Sequence, residues 1–321
     1  MRICIWYQLT RNPWGGSNSF LSALAQEFRR LGFRIDSTPK RYDDIVLVNS
    51  WSRGRGQYLD YETVREAKEK GISARKSVSG PHPFPPLIQR LDGMARLYGR
   101  NDPQADQIQC AIAVIADFVI FQSLYSRESF HQLGIQPPDS VIIRNAVDGN
   151  LFYPSTRQCK PGKEINIIAI SWSDNLMKGF SILPKLASLR NVKVFFIGNW
   201  NPAVDKGDVV SLGVKSRKQV AEILREMDLL VHPAQNDPCA NVILEGLASG
   251  LPVLFHNSGG NPELASNFGV PLHDDLGGSL KEIRNRYLEL RERILESRKD
   301  FLIEDCAEKY LSVFEKTIKV R

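Results

Sequence analysis

Short apolar runs alternate with longer amphipathic stretches along the whole chain. Residues 3–7 form an apolar run that enters a loop of turn residues. Phe20, Leu21, Leu24, Phe28 and Leu31 then recur at helical spacing until Gly32 ends the pattern. In the same way the spacing predicts strands over 43–48, 72–78, 87–91, 118–122 and 141–144, with helices over 58–70, 104–116 and 123–133. A hydrophilic run with Pro161 and Gly162, residues 155–163, reads as a linker. Beyond it the alternation resumes. Strands are expected over 165–170, 192–197, 209–212 and 253–255, and helices over 216–227 (with Ser216 as N-cap), 280–295 and 301–318. Strands alternating with helices on both sides of a linker predict an α/β chain of two Rossmann-like domains facing each other across a cleft.

Residues 232–263 carry the most chemistry. The apolar run ending at His232 reads as a buried strand, and Pro233, Asn236, Asp237 and Pro238 supply turn chemistry after it. Ala240, Ile243, Leu244, Leu247 and Ala248 recur on one helical face, which Gly250 and Pro252 terminate. Asn241 and Glu245 share the opposite, exposed face. Residues 253–255 are a further strand, and Gly259 and Gly260 lie in a loop where backbone can approach a ligand closely. This is a βαβ unit, and open parallel sheets bind ligands beyond the carboxyl ends of their strands. Asp237 precedes a helix start whose amides attract phosphate, and Glu245 lies two turns along. Such a set could hold an anion and a polyhydroxyl group together, and a nucleotide sugar has both.

Composition narrows the picture little. At 321 residues the chain can build two cores, and 42% hydrophobic with 24% charged residues is ordinary for a water-soluble globular protein. No stretch has the apolar length of a membrane span, and the first residues do not read as a signal peptide. Cys4, Cys110, Cys159, Cys239 and Cys306 are scattered without paired spacing, so neither a disulfide framework nor a metal site is expected, and a cytoplasmic setting fits. The net charge of +6 allows peripheral contact with an anionic membrane face; no RNA-binding signature accompanies it, so no nucleic acid is expected as a partner.

The 232–263 stretch resembles the nucleotide-sugar site of retaining glycosyltransferases of the GT-B fold, the large family 4 group. That group carries two acidic residues eight positions apart, here Asp237, where Glu is usual, and Glu245. The resemblance implies that Glu245 binds the donor ribose and that Asp237, with the amides of residues 240–242 (Asn241 and Val242 among them), holds sugar and phosphates. Gly259, Gly260 and Glu263 resemble a family loop near the sugar. Gly15 and Gly16 resemble the first loop, which faces the donor phosphates. The family's diphosphate clamp is an Arg and a Lys five residues apart; Lys178 matches the Lys and Ser173 stands at the Arg, so a point charge remains where a bidentate fork is lost. A histidine often reaches the transferred sugar after the strand at 87–91. Asp92 occupies that position, with His82 in a nearby loop as the other candidate. Residues 145–154 resemble the interdomain stretch.

The resemblance thus implies an acceptor-side domain over 1–153, a nucleotide-sugar domain over 154–300 and a helix over 301–321 that packs back on the first domain. The implied activity moves a sugar from a nucleoside diphosphate to a hydroxyl of a glycan or lipid-linked acceptor. It proceeds with retention, without cofactor or metal, in the cytoplasm or at the inner membrane face. Asp92, Lys178 and Asp237 are the expected catalytic residues. Three departures, Asp92, Ser173 and Asp237, leave a non-catalytic sugar-nucleotide-binding partner as the rival. A dinucleotide-dependent dehydrogenase would need a G-x-G-x-x-G turn after the first strand, and only Gly15-Gly16 is there.

Overall fold

The computed structural model describes residues 1–10, 15–71, 83–156 and 161–320. The chain divides into two compact units, Met1–Arg144 with Glu304–Arg321, and Asn145–Ile303.

The first unit opens with β1 (Arg2–Ile5), α1 (Gly15–Arg30), β2 (Arg34–Asp36) and β3 (Ile45–Asn49). A hairpin follows, β4 (Ser52–Gly54) and β5 (Gln57–Tyr58), and then α2 (Tyr61–Lys70), β6 (Leu87–Leu91), α3 (Pro103–Ile115), β7 (Phe118–Phe121), α4 (Leu124–His131) and β8 (Ser140–Ile142). Parallel strands run in the order β2-β1-β3-β6-β7-β8, and the hairpin hangs antiparallel on β3. Every residue of β3, β6 and β7 is buried, as expected where helices cover both faces of a parallel sheet. Helix starts are set by short polar side chains: Asp60 accepts from the Thr63 amide at 3.2 Å, and Asp102 from that of Ala105 at 3.0 Å.

The second unit holds β9 (Ile165–Ser171), α5 (Ile182–Ala187), β10 (Val192–Gly198), β11 (Val210–Gly213), α6 (Arg217–Leu224) and β12 (Leu229–His232). It continues through α7 (Asn241–Ala248), β13 (Val253–Phe255), α8 (Asn261–Ala265), β14 (Gly269–Pro271), α9 (Leu276–Asn285) and α10 (Tyr287–Glu296). All pairings are parallel, in the order β11-β10-β9-β12-β13-β14. The chain builds outward from β9 on one side and then restarts at β12 on the other. The sheet therefore reverses direction between β9 and β12, and the loops leaving these two strands diverge to leave a crevice.

Residues 145–153 pack in the second unit. Val147 and Phe152 lie in one core with Ile243 and Leu247, and Val147 exchanges backbone hydrogen bonds of 2.9 Å with Phe301 and Ile303. The final helix, α11 (Ile303–Lys319), belongs to the first unit, where Tyr310 and Phe314 meet Phe20 and Phe28 at ring separations of 6.0 and 5.8 Å.

Several elements depart from the pattern-based expectation. Tyr58 lies in β5, not in a helix; Asp60 caps a helix that starts only at Tyr61. The apolar repeat over 280–295 is interrupted at Arg286, which ends α9 and starts α10. α5, α8, β14 and the hairpin carry patterns too short for periodicity to resolve. The strand expected over 72–78 and His82 lie outside the described residues. Since Phe314 is fully buried against α1, Phe314→Ala should cost about 3–5 kcal/mol of unfolding free energy. Hydrogen exchange should show amide protection lost in the first unit and retained in the second.

Candidate functional site

The loops leaving β9 and β12 are fastened to each other at their backbones. After β9 a single 3-10 turn, Leu176–Lys178, is started by Asn175, whose side chain accepts from the Met177 amide at 2.9 Å. Gly179 follows with φ +73°, and a Cβ on it would lie 2.3 Å from the Pro233 carbonyl oxygen, so only glycine permits this approach. The Gln235 amide also donates to the Met177 carbonyl at 2.7 Å. Lys178 is thereby carried over the β12 loop, and its Nζ lies 2.8 Å from Asp237 Oδ2. His232, the last residue of β12, places Nε2 3.6 Å from the same oxygen. Burial raises the Asp237 carboxyl, but Lys178 and His232 outweigh it and hold the group well below the usual carboxylate range.

A second loop clamps Asp237 from the other side. Gly259 has φ +63°, and a Cβ there would come within 2.7 Å of the Asp237 carbonyl oxygen. The Gly260 amide donates to that oxygen at 2.8 Å, and Asn261 Nδ2 donates to the Ala234 carbonyl at 2.8 Å. The glycines are required by packing onto the Asn236–Asp237 backbone, a reason different from the ligand approach their spacing suggests.

α7 begins beside this clamp. No side chain caps it: Ala240 is the N-cap, and Asp237 lies outside the capping position. Asn241 Oδ1 accepts from Asn145 Nδ2 at 2.7 Å, and Val242 is half-buried. Glu245 requires a correction. Helical spacing puts it on an exposed face, yet its residue is only 9% exposed. Two contacts across the fold enclose it. Gly246 lets α7 settle on β12, where a Cβ would meet Leu230 Cδ2 at 2.7 Å, and Arg217, half-buried at the start of α6, is near enough to act on the carboxylate. Burial raises the Glu245 carboxyl to about 7, against the opposing charge of Arg217. Among the described residues no hydrogen bond reaches that carboxylate. Ser173 is exposed and serves its own turn: its Oγ accepts from the Asn175 amide at 3.2 Å, and its carbonyl accepts from Ser171 Oγ at 2.6 Å.

Gly15, Gly16 and Asp92 belong to the first unit. Gly15 and Gly16 open α1, and the next residue, Ser17, donates from Oγ to Asp92 Oδ2 at 2.9 Å. Arg90, fully buried, puts Nη1 2.5 Å from Asp92 Oδ1 and its guanidinium 4.6 Å over the Phe20 ring. Gln122 also donates to Asp92. Burial and the Asp92 charge push the Tyr7 hydroxyl up to about 12. This cluster lies at the carboxyl ends of β1, β3, β6 and β7, the ligand edge of a parallel sheet.

Sequence reasoning assigned no role to His232, Arg217, Arg90 or Tyr7. Arg90 left a signal, an arginine inside the apolar strand Leu87–Leu91; Arg217 left none, since it meets Glu245 only through the fold. Among the described residues no three His, Cys, Asp or Glu side chains group to hold a metal ion, and no helix is long and apolar enough to cross a membrane.

Residues 174–273 match the family model described as Glycosyl transferases group 1. Lys178, Asp237, Asn241, Val242, Glu245, Gly259 and Gly260 fall within that segment. The lipopolysaccharide glucosyltransferase WaaG of Escherichia coli (strain K12) is 35% identical over 89 residues, which cover 25% of this chain and 23% of WaaG. Less than a quarter of the curated relative's length is thus matched. Sucrose-phosphate synthase from Thermosynechococcus elongatus superposes with a TM-score of 0.74 at 15% identity, covering 100% of this chain and 99% of that one. Anabaena HepE in complex with UDP and glucose gives a TM-score of 0.68 at 15% identity, covering 98% and 100%. At such identity the likeness is one of fold. The chain carries a glycosyltransferase group 1 domain within a GT-B architecture of two parallel-sheet α/β domains.

The buried Glu245 makes a pH prediction. Its folded carboxyl keeps its proton to higher pH than an unfolded glutamate, so stability is lost as pH rises from near 4.5 through about 7. Glu245→Gln should remove this slope, gaining up to about 3 kcal/mol over wild type above that range. Urea unfolding at a series of pH values measures it; parallel curves for the two proteins would contradict the burial of an ionisable carboxyl.

Proposed function

We propose that the chain is a glycosyltransferase that moves a sugar from a nucleoside diphosphate to a hydroxyl of a glycan or lipid-linked acceptor, with retention and without a divalent metal. The observation that carries this is the convergence of Lys178 and Asp237 at the reversal point of the second sheet, beside the uncapped start of α7. A departing diphosphate needs positive charge. Lys178 Nζ and the first α7 amides supply it, which is why no metal or cofactor enters the account. Asp237 and His232 keep Lys178 charged and aimed until the substrate's own anion takes it over. Glu245, with no hydrogen bond of its own, accepts from the donor ribose hydroxyls. In the first unit Asp92, oriented by Arg90 and Ser17, hydrogen-bonds the transferred sugar or supports positive charge at its anomeric carbon.

The relatives suggest the first donor to test, since HepE was solved with UDP and glucose and WaaG is a glucosyltransferase. WaaG's lipopolysaccharide also supports a glycan or lipid-linked acceptor, and with the charge of +6 a peripheral position at the inner face of a membrane. Ser173 favours a second reading, a non-catalytic sugar-nucleotide-binding partner, because its exposed turn offers no cation beside Lys178.

Calorimetric titration with UDP, GDP, ADP and dTDP tests the site. One nucleotide should bind, Glu245→Ala should weaken it by about 1.5–3 kcal/mol, and Lys178→Ala should weaken the diphosphate while sparing the nucleoside. Since the ribose requires an ionised acceptor, wild-type affinity should rise as pH passes upward through about 7, and Glu245→Gln should lack that rise. Absence of nucleotide binding would contradict the assignment; binding of the UDP-sugar without its turnover would select the second reading.

A further inference from the structure

A cavity of about 430 Å³ lies at the carboxyl ends of β1 and β2 in the first unit, lined in part by Tyr7, Gln8, Arg29, Asp36, Ser37 and Arg55. Its charge balance is lopsided. Asp36, the one carboxylate in the lining, is already paired with Lys40. Arg29 and Arg55 make no ion pair or side-chain hydrogen bond among the described residues, so two guanidinia face the cavity uncompensated.

Arg55 is held there by unusual backbone. The hairpin pairs Gly54 with Gln57, which leaves Arg55 and Gly56 as a two-residue loop with φ of +52° and +72°. Both loop positions need positive φ, and the first normally takes Asn, Asp or Gly. An arginine at that position costs conformational energy that the turn alone does not repay. The hairpin is also fixed to the cavity wall: the Gln8 amide donates to the Arg53 carbonyl at 2.8 Å, and a Cβ on Gly54 would lie 2.7 Å from the Gln8 carbonyl oxygen. Tyr7 forms another part of the wall and feels the charge of Asp92, so the cavity adjoins the Asp92 cluster.

We propose that this cavity is the acceptor subsite and that it takes a phosphorylated saccharide, whose phosphate is clamped by Arg29 and Arg55 while the sugar hydroxyls meet Gln8 and Ser37. Guanidinium forks suit phosphate oxygens bidentately. The volume is at the small end for ligand pockets, which fits one sugar phosphate. The inference rests on the glycosyl-transfer reading for the word acceptor, but the binding can be measured without turnover.

Calorimetry with glucose 6-phosphate, glucose, inorganic phosphate and UDP, on wild type, Arg29→Gln, Arg55→Gln and Arg55→Lys, tests it. Glucose 6-phosphate should bind more tightly than glucose or inorganic phosphate. Each Gln substitution should weaken it by about tenfold or more, the size of a charge-assisted hydrogen bond, with Arg55→Lys in between and UDP affinity unchanged in all three. Equal binding of glucose and glucose 6-phosphate, or of phosphate alone, would overturn the proposal, as would unchanged affinity in folded Gln variants. Vesicles of phosphatidylcholine with phosphatidic acid form a further arm, and Arg-dependent vesicle binding in preference to the sugar phosphate would assign the cavity to a lipid headgroup and overturn the saccharide. If UDP fails to bind while the sugar phosphate binds, the donor site is wrong and the cavity stands.

Discussion

Lys178 and Asp237 form an ion pair that is mostly removed from water, at 25% and 13% side-chain exposure. Taking two charges out of water costs several kcal/mol per ion unless geometry compensates, so such a pair is poor evidence of stability for its own sake. Much of the local structure serves to hold it. Gly179 brings the Lys178 turn onto Pro233, Gly259 and Gly260 clamp the Asp237 backbone, and His232 closes on the same carboxylate oxygen. Two of these glycines have positive φ at contacts no side chain could enter. The arrangement resists loss of either partner, because the remaining charge would be buried alone.

The first unit repeats the theme with different residues. Arg90 and Asp92 form a pair at the carboxyl ends of its own parallel strands, Arg90 fully buried over Phe20, Asp92 braced by Ser17 and Gln122. Each sheet therefore spends its apolar core on positioning one charged pair at the edge where parallel sheets take ligands. Perturbed ionisable groups gather at these edges: Asp237 held low, Glu245 raised to about 7 and Tyr7 to about 12. Such clustering is what sites for charged substrates require.

How much of this could be read from the chain depended on the range of the interaction. The alternation of strands and helices needs only local periodicity, and it yields two parallel-sheet α/β domains; Ser216 as the cap of α6 was legible from its capping box with Gln219. The 232–263 stretch was legible as strand, loop and helix because its apolar positions are close in sequence. Burial of Glu245 was not, since a helical wheel shows one face against the core and says nothing of Arg217 arriving from another element. The glycines at 179 and 259 were visible as turns, but their reason, contact with Pro233 and Asp237, is tertiary. The hairpin carrying Arg55 has no apolar alternation, so nothing in Ser52–Gly54 or Gln57–Tyr58 announces strands.

Hydrogen exchange of the wild-type protein with and without saturating UDP tests the central claim most directly, that a nucleoside diphosphate is held where the second sheet reverses. The account predicts added protection in the amides of residues 172–179, 233–245 and 256–261, and little change along β10, β14 or α9. Protection that spares those three loops, or that gathers elsewhere in the chain, would contradict it.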